Sequence, residues 1–186
     1  MADINYMVDL ETLSPTPNAH VLEISFLRFD IETGEIDYND SVIERFGLKS
    51  QNRESNAETI KWWLDKNQNY FMELCSYVPE KSVYDVILSI WMKLFLLRVD
   101  IRNNICVWNT GSFDVDILNN IYKQKTGSND SLIRFYEVRD VRSIRQIGDM
   151  FNLNDNNVEA THNAKEDCIR QIEYITKVVK KMKENG

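Results

Sequence analysis

Four carboxylates and one histidine carry the chemistry available to this sequence. Asp9 and Glu11 close an apolar run, Tyr6-Met7-Val8-Asp9-Leu10-Glu11-Thr12, that reads as a buried strand. Alternation with period two turns both acids to one face, about 7 Å apart. Like charges at that separation repel, so a cation is their natural partner. Taken alone the pair equally suits a solvated loop edge, and the rest of the chain decides. Asp114 follows a second apolar run across the turn Asn109-Thr110-Gly111-Ser112. It falls in the first turn of an expected helix, where the positive end of the macrodipole favours an acid. Thr161-His162-Asn163-Ala164-Lys165-Glu166-Asp167 places a histidine at a loop-to-helix junction, five residues before an acid able to point back at the sheet. Hard oxygen donors of this kind suit magnesium or manganese. Two such ions about 4 Å apart can activate a water on one side of a phosphodiester and stabilise the leaving oxygen on the other. A histidine, with its unperturbed pKa near neutrality, can take the proton of that water.

These residues sit at the ends of elements that the pattern predicts. Ile4 to Leu10 is the first strand, Val21 to Phe29 the second and Ile36 to Arg45 the third, the last two joined as an antiparallel hairpin by the turn Glu32-Thr33-Gly34-Glu35. Ser55-Asn56-Ala57-Glu58 has capping-box spacing and starts a helix that runs to about Lys66, with a second from Tyr70 to Tyr77. From Ser82 onward, Val83, Val86, Ile87, Ile90, Trp91, Leu94 and Phe95 keep a helical repeat that should lie across the sheet. Asn104 to Trp108 is a buried fourth strand. Ser112 N-caps a helix with the apolar stripe Phe113, Ile117, Leu118 and Ile121, ending before Gly127. A fifth strand is expected from Leu132 to Val138, then a short helix from Ser143 to Phe151, a polar linker from Asn152 to Asn157, and a last helix from Thr161 to a lysine-rich end at Lys177, Lys180, Lys181 and Lys183. With no repeat or composition break, residues 1–186 read as one domain.

Composition bounds the function. Of 186 residues, 43% are hydrophobic and 11% aromatic, which suits a packed core and not disorder. The formal charge of −7 argues against a nonspecific nucleic-acid coat, although two divalent cations would bring it to about −3. Three cysteines without paired spacing, Cys75, Cys106 and Cys168, point to a reducing, cytoplasmic setting. The first residues lack a secretion signal, and Asp85, Lys93 and Arg98 interrupt the most apolar segment, so no membrane partner is expected.

Three stretches, Asp9-Leu10-Glu11-Thr12, Gly111-Ser112-Phe113-Asp114 and His162-Asn163-Ala164-Lys165-Glu166-Asp167, resemble in order and spacing the motifs of the DEDD superfamily of 3′ to 5′ exonucleases, in its histidine-bearing branch with an HxAxxD motif. The Ile60-Lys61-Trp62-Trp63 helix start, the Phe113 to Leu118 run and Arg139-Asp140-Val141-Arg142 are similar to the exonuclease A group of T-even bacteriophages and related small exoribonucleases. The resemblance implies an α/β, ribonuclease H-like fold, with a mixed five-stranded sheet of three antiparallel and then two parallel strands flanked by helices. It implies two divalent cations, Mg²⁺ or Mn²⁺, held by Asp9, Glu11, Asp114 and Asp167, with His162 as general base. It also implies a single-stranded nucleic acid with a free 3′ end as substrate, in host cytoplasm if the source is a phage, and contacts to the terminal nucleotide from Thr12 and Leu13, while Phe113 and Trp62 are further candidates for substrate contact.

Several residues keep a plainer reading beside the functional one. Asp116 competes with Asp114 but faces elsewhere on the helix. His20 reads as ordinary surface. Trp62 and Trp63 cannot both face one core, so one packs and the other is free to stack on a base. Arg139 and Arg142 suit phosphates or an ion-pair cluster with Asp140, and the C-terminal lysines suit a solvated face. The rival classes are a ribonuclease H-like binding module that does not cleave, and a metal-dependent phosphatase. The oligomeric state, monomer or homodimer, is left open by the sequence.

Overall fold

The computed structural model describes residues 2–48, 51–153 and 161–185. In chain order it has β1 (Ala2–Thr12), β2 (Val21–Phe29), β3 (Ile36–Arg45), α1 (Ala57–Ser76), α2 (Val83–Val99), β4 (Asn103–Asn109), α3 (Phe113–Thr126), β5 (Val138–Asp140), α4 (Val141–Met150) and α5 (Ala164–Asn185). The sheet order is β3-β2-β1-β4-β5. β1, β2 and β3 pair antiparallel, whereas β4 runs parallel to β1 and β5 parallel to β4. The expected mixed sheet is therefore the observed one.

β1 lies at the centre and is covered on both faces. Tyr6, Val8 and Leu10 pack with Val86, Ile90, Leu118 and Ile121 from α2 and α3. Met7 turns the other way, to Leu27, Cys106 and the α5 residues Cys168, Ile172 and Ile175. Alternation then puts Asp9 and Glu11 on the face that α5 covers. The β1–β4 ladder ends at Met7 and Trp108, leaving the last turn of β1 beyond its parallel neighbour.

The helix starts follow local chemistry. Ser82 and Asp85 close a reciprocal capping box on α2. α1 is capped by Asn56, one residue beyond the expected Ser55, because the Asn56 side chain accepts from the amides of Glu58 and Thr59 at 2.8 and 3.2 Å. The two helices expected here are one element broken at Asn67, which leaves helical geometry at φ −152° and ψ 64°. α3 ends at Gly127 in left-handed geometry, with φ 68°.

Three further expectations are corrected. The fifth strand starts at Val138, not Leu132, after a 3₁₀ turn at Phe135–Glu137. That turn carries Glu137 inward, where its carboxylate accepts from Arg98 Nε at 2.8 Å and Arg98 Nη2 at 2.5 Å. On α2, Phe95 is 48% exposed and stacks on Trp91 at 5.4 Å instead of joining the core, since a helix apolar on more than one side does not reveal by period which side is covered. His20 is buried, with Nε2 3.3 Å from the Gly47 carbonyl oxygen, because the segment before β2 folds beneath residues 47 and 54. Burial pushes its imidazole pKa down. Residues 154–157 of the expected polar linker lie outside the described residues.

Gly47 brings the end of β3 against the end of α1, and a Cβ placed there would stand 2.2 Å from the Tyr77 carbonyl oxygen. Backbone cannot yield as a side chain does, so Gly47→Ala is expected to destabilise the fold by about 1–3 kcal/mol. A urea midpoint equal to that of the unaltered chain would show that the two segments separate freely.

Candidate active site

The site forms where β1 outruns β4. Leu10 N–H, without a strand partner on that side, donates to Asp114 Oδ1 at 3.2 Å. Asp114 is thereby drawn from the first turn of α3 onto the strand that carries Asp9 and Glu11, and it is buried. The turn before α3 is braced from β5. Asp140 Oδ1 accepts from Gly111 N at 3.2 Å, and Arg142 grips Asp140 with Nε at 3.1 Å to Oδ1 and Nη2 at 2.6 Å to Oδ2. Those Arg142 hydrogen bonds hold the Asp140 carboxyl down at about 2. Gly111 sits at φ 85°, a conformation that favours glycine, with the Arg142 guanidinium beside it.

Asp167 comes from the first turn of α5. The residues just before the helix fold over it: Thr161 N and Oγ1 donate to its Oδ1 at 3.1 and 2.9 Å, and His162 N donates to its Oδ2 at 3.1 Å. Arg170, one turn on, also pairs with it. This wrapping holds His162 in left-handed geometry at φ 55°, which histidine tolerates better than most residues. One ligand atom each from Glu11, His162 and Asp167 lies within 4.8 Å of the others. α1 closes the side of the imidazole, since the Trp62 ring meets it edge-on at 4.5 Å and Trp63 at 6.1 Å. Trp63 is anchored by its Nε1 donating to the Thr12 carbonyl at 3.0 Å.

The carboxylates strain one another electrically. Burial, then Glu23 and Asp114, pushes the Glu11 pKa up to about 8. Burial pushes Asp114 up to about 7 against the stabilising Leu10 hydrogen bond. Asp9 is raised well above the usual carboxylate range by burial and by Asp114, Glu11 and Glu23. Acids that cannot all ionise together in this way form a hard oxygen donor set whose charge a divalent cation would neutralise, so the residues fit such an ion.

Of the residues singled out from sequence, Asp9, Glu11, Asp114, Asp167 and His162 converge here. Asp116 does not: it is exposed and accepts from Ser112 Oγ at 2.9 Å. Trp63 is the packed member of its pair and Trp62 the open one, 38% exposed, and Phe113 at 36% also presents its ring. Leu13 is 1% exposed, enclosed with Leu22, Trp63, Phe71 and Leu74, and Thr12 Oγ1 donates to the Ser14 carbonyl. Arg139 donates to the carbonyls of Tyr136 and Val138, and Arg142 is occupied by Asp140, so both arginines brace the chain. Among the lysines of α5, Lys181 and Lys183 pair with Glu184 and Glu32. Sequence reasoning passed over Glu23, Tyr70 and Gln171. Gln171 hydrogen-bonds Asp9 and receives Thr110 Oγ1 at 3.1 Å. The signal for Glu23 was a lone charge inside Val21-Leu22-Glu23-Ile24, a strand otherwise written for the core.

Comparison with known proteins follows the same lines. No curated protein matches the chain in sequence. Its structure resembles that of exonuclease I, in a study of how processivity is achieved, with TM-score 0.66 at 13% identity over 97% of this chain and 41% of that one. It also resembles zinc-bound E. coli exonuclease I in complex with single-stranded DNA, with TM-score 0.65 at 12% identity over 99% and 42%. S. pombe Pop2p in its Mg²⁺- and Mn²⁺-bound form gives TM-score 0.59 at 12% identity over 98% and 85%. These likenesses establish a shared ribonuclease H-like fold, and the chain spans about two fifths of the length of exonuclease I. In sequence, the model of the Rv2179c-like 3′-5′ exoribonuclease domain matches residues 4–179, and the chain belongs to that family.

Proposed function

We propose that the chain is a single-domain, metal-dependent 3′ to 5′ exonuclease that removes nucleoside 5′-monophosphates from the 3′ end of single-stranded nucleic acid. The observation that carries this reading is the convergence of Asp9, Glu11, Asp114 and Asp167 with His162 at one strand end. The family's description favours RNA over DNA. The neighbours' bound ions, magnesium and manganese in one and zinc in another, support a divalent cation, for which the all-oxygen set here favours Mg²⁺ or Mn²⁺.

Asp9, Glu11, Asp114 and Asp167 would hold two cations, and their charge, when bound, makes water a stronger acid and neutralises the developing oxyanion. His162 stands beside Glu11 and Asp167 to take the proton of the water attacking in line, with Trp62 restricting its ring. Trp62 and Phe113 offer open aromatic surface to the terminal nucleotide. Leu13 can serve as a floor under the base only through a shift of its enclosing cluster, so Trp62 and Phe113 carry more of that contact.

A time course on two 5′-labelled strands of one sequence, RNA and DNA, tests the reading. A ladder shortening from the 3′ end, abolished by EDTA and faster on RNA, is the expected result. Persistence of both strands intact in Mg²⁺ and in Mn²⁺ would leave a binding module in place of an enzyme. Asp9→Ala and Asp167→Asn should each lower the rate by more than about a hundredfold while keeping a cooperative thermal transition. His162→Ala should lower it by about a hundredfold or more and flatten the acid side of the pH–rate profile. A mutant profile parallel to that of the unaltered enzyme would remove His162 from proton transfer.

Stability should report the cation independently of turnover. Glu11 and Asp114 hold protons in the folded chain up to about 8 and about 7, whereas unfolded carboxyls release theirs near about 4. A raised folded pKa means that stability is fully present below the unfolded value and is lost as pH rises through 7 and 8. In EDTA, the melting midpoint should therefore fall between about pH 6 and about pH 9, and Mg²⁺ should raise it more at the higher pH. An equal Mg²⁺ shift at both pH values would place the ion away from these acids.

A further inference from the structure

Glu23 is 1% exposed on β2 and stands directly across the ladder from Glu11. Like charges opposite one another destabilise a sheet, and a buried carboxylate without partners costs more still. Here both oxygens are engaged. Oε1 accepts from Arg45 Nε at 3.1 Å, and Oε2 accepts from Tyr70 Oη at 2.8 Å and from Ala164 N at 3.0 Å. Ala164 N–H is one of the first amides of α5, which have no partner inside the helix, so a strand residue caps this helix from outside. The neighbouring contacts extend the grip. Asn163 Nδ2 donates to Tyr70 Oη at 2.9 Å, and the Asn163 carbonyl accepts from Asp167 N at 2.9 Å. Asn163 and Ala164 immediately follow His162 and lie in the turn before Asp167.

We infer that Glu23 is a positioning residue for the metal end of the sheet: with Tyr70 it fixes the first turn of α5, and so His162 and Asp167, against the strand that carries Glu11. This rests on the metal-dependent nuclease reading. Three protein donors, Arg45, Tyr70 and Ala164, are spread over both Glu23 oxygens, so the role inferred for it is to position and not to ligate. A tie of purely structural purpose would change stability alone, whereas a positioning tie changes cation affinity and turnover in protein that remains folded.

Glu23→Gln keeps the shape and an acceptor for Ala164 N but removes the charge, and Tyr70→Phe removes the hydroxyl shared by Glu23, Asn163 and Arg45. Mn²⁺ binding, followed by the EPR signal of free Mn²⁺, should weaken in both by about 10–100-fold. The kcat on a 3′-ended oligonucleotide at saturating Mn²⁺ should fall, with KM for the strand within about twofold of the original. Glu73→Ala, which removes only the exposed carboxylate partner of Arg45, should leave affinity and kcat unchanged. Should Glu23→Gln fail to fold, Tyr70→Phe decides the matter. Mn²⁺ affinity and kcat within about twofold of the unaltered chain in the folded variants would overturn the inference while the nuclease reading stands. If the unaltered chain binds no more Mn²⁺ than Asp167→Asn and cuts nothing, both fall together.

Discussion

The mutual repulsion of buried carboxylates at the end of β1 is the constraint around which the rest is arranged. Asp9, Glu11, Asp114 and Asp167 are brought together although burial raises the cost of ionising Asp9, Glu11 and Asp114, and neighbouring acids add to that cost at Asp9 and Glu11. Such a cluster persists only where the fold is firm enough to hold it. β1 provides that firmness by lying third in a five-stranded sheet with apolar cover on both faces. Asp9 and Glu11 occupy the one part of β1 that its parallel neighbour does not reach, so side chains replace ladder contacts there.

Two helix starts answer the same constraint. Asp114 and Asp167 each lie in a first turn, α3 for one and α5 for the other, where the helix dipole favours negative charge. The two helices lie on opposite faces of the sheet, and each brings its acid to the end of β1. The amides and hydroxyl that surround Asp167 come from the turn that also carries His162, so the imidazole and the acid are held in one piece. α1 adds the third side through Trp63, locked to the Thr12 carbonyl, with Trp62 left at the rim.

Much of the plan was legible in the order of residues. Strands β1 to β3, the helix that starts after Ser82, the end of α3 before Gly127, and the different facing of Asp114 and Asp116 all follow from local periodicity and end effects. The fifth strand was not legible, because Leu132 and Ile133 are apolar for a reason unrelated to strand pairing. Both enter the core from a loop, with the Asn119 amide satisfying the backbone of Ile133. His20 was misjudged for a similar reason: its burial depends on residue 47, distant in sequence.

By itself, the sequence determined which side chains can ionise, which face of each strand or helix they share, and which elements they end. Those are consequences of period and propensity, which act over a few residues. Only the tertiary structure decided that Glu23 joins the acidic end, that Trp63 packs while Trp62 stays open, and that Arg142 is bound to Asp140. Each of these depends on contacts across many residues of chain, where burial and partner geometry set the outcome and no local pattern encodes the distance.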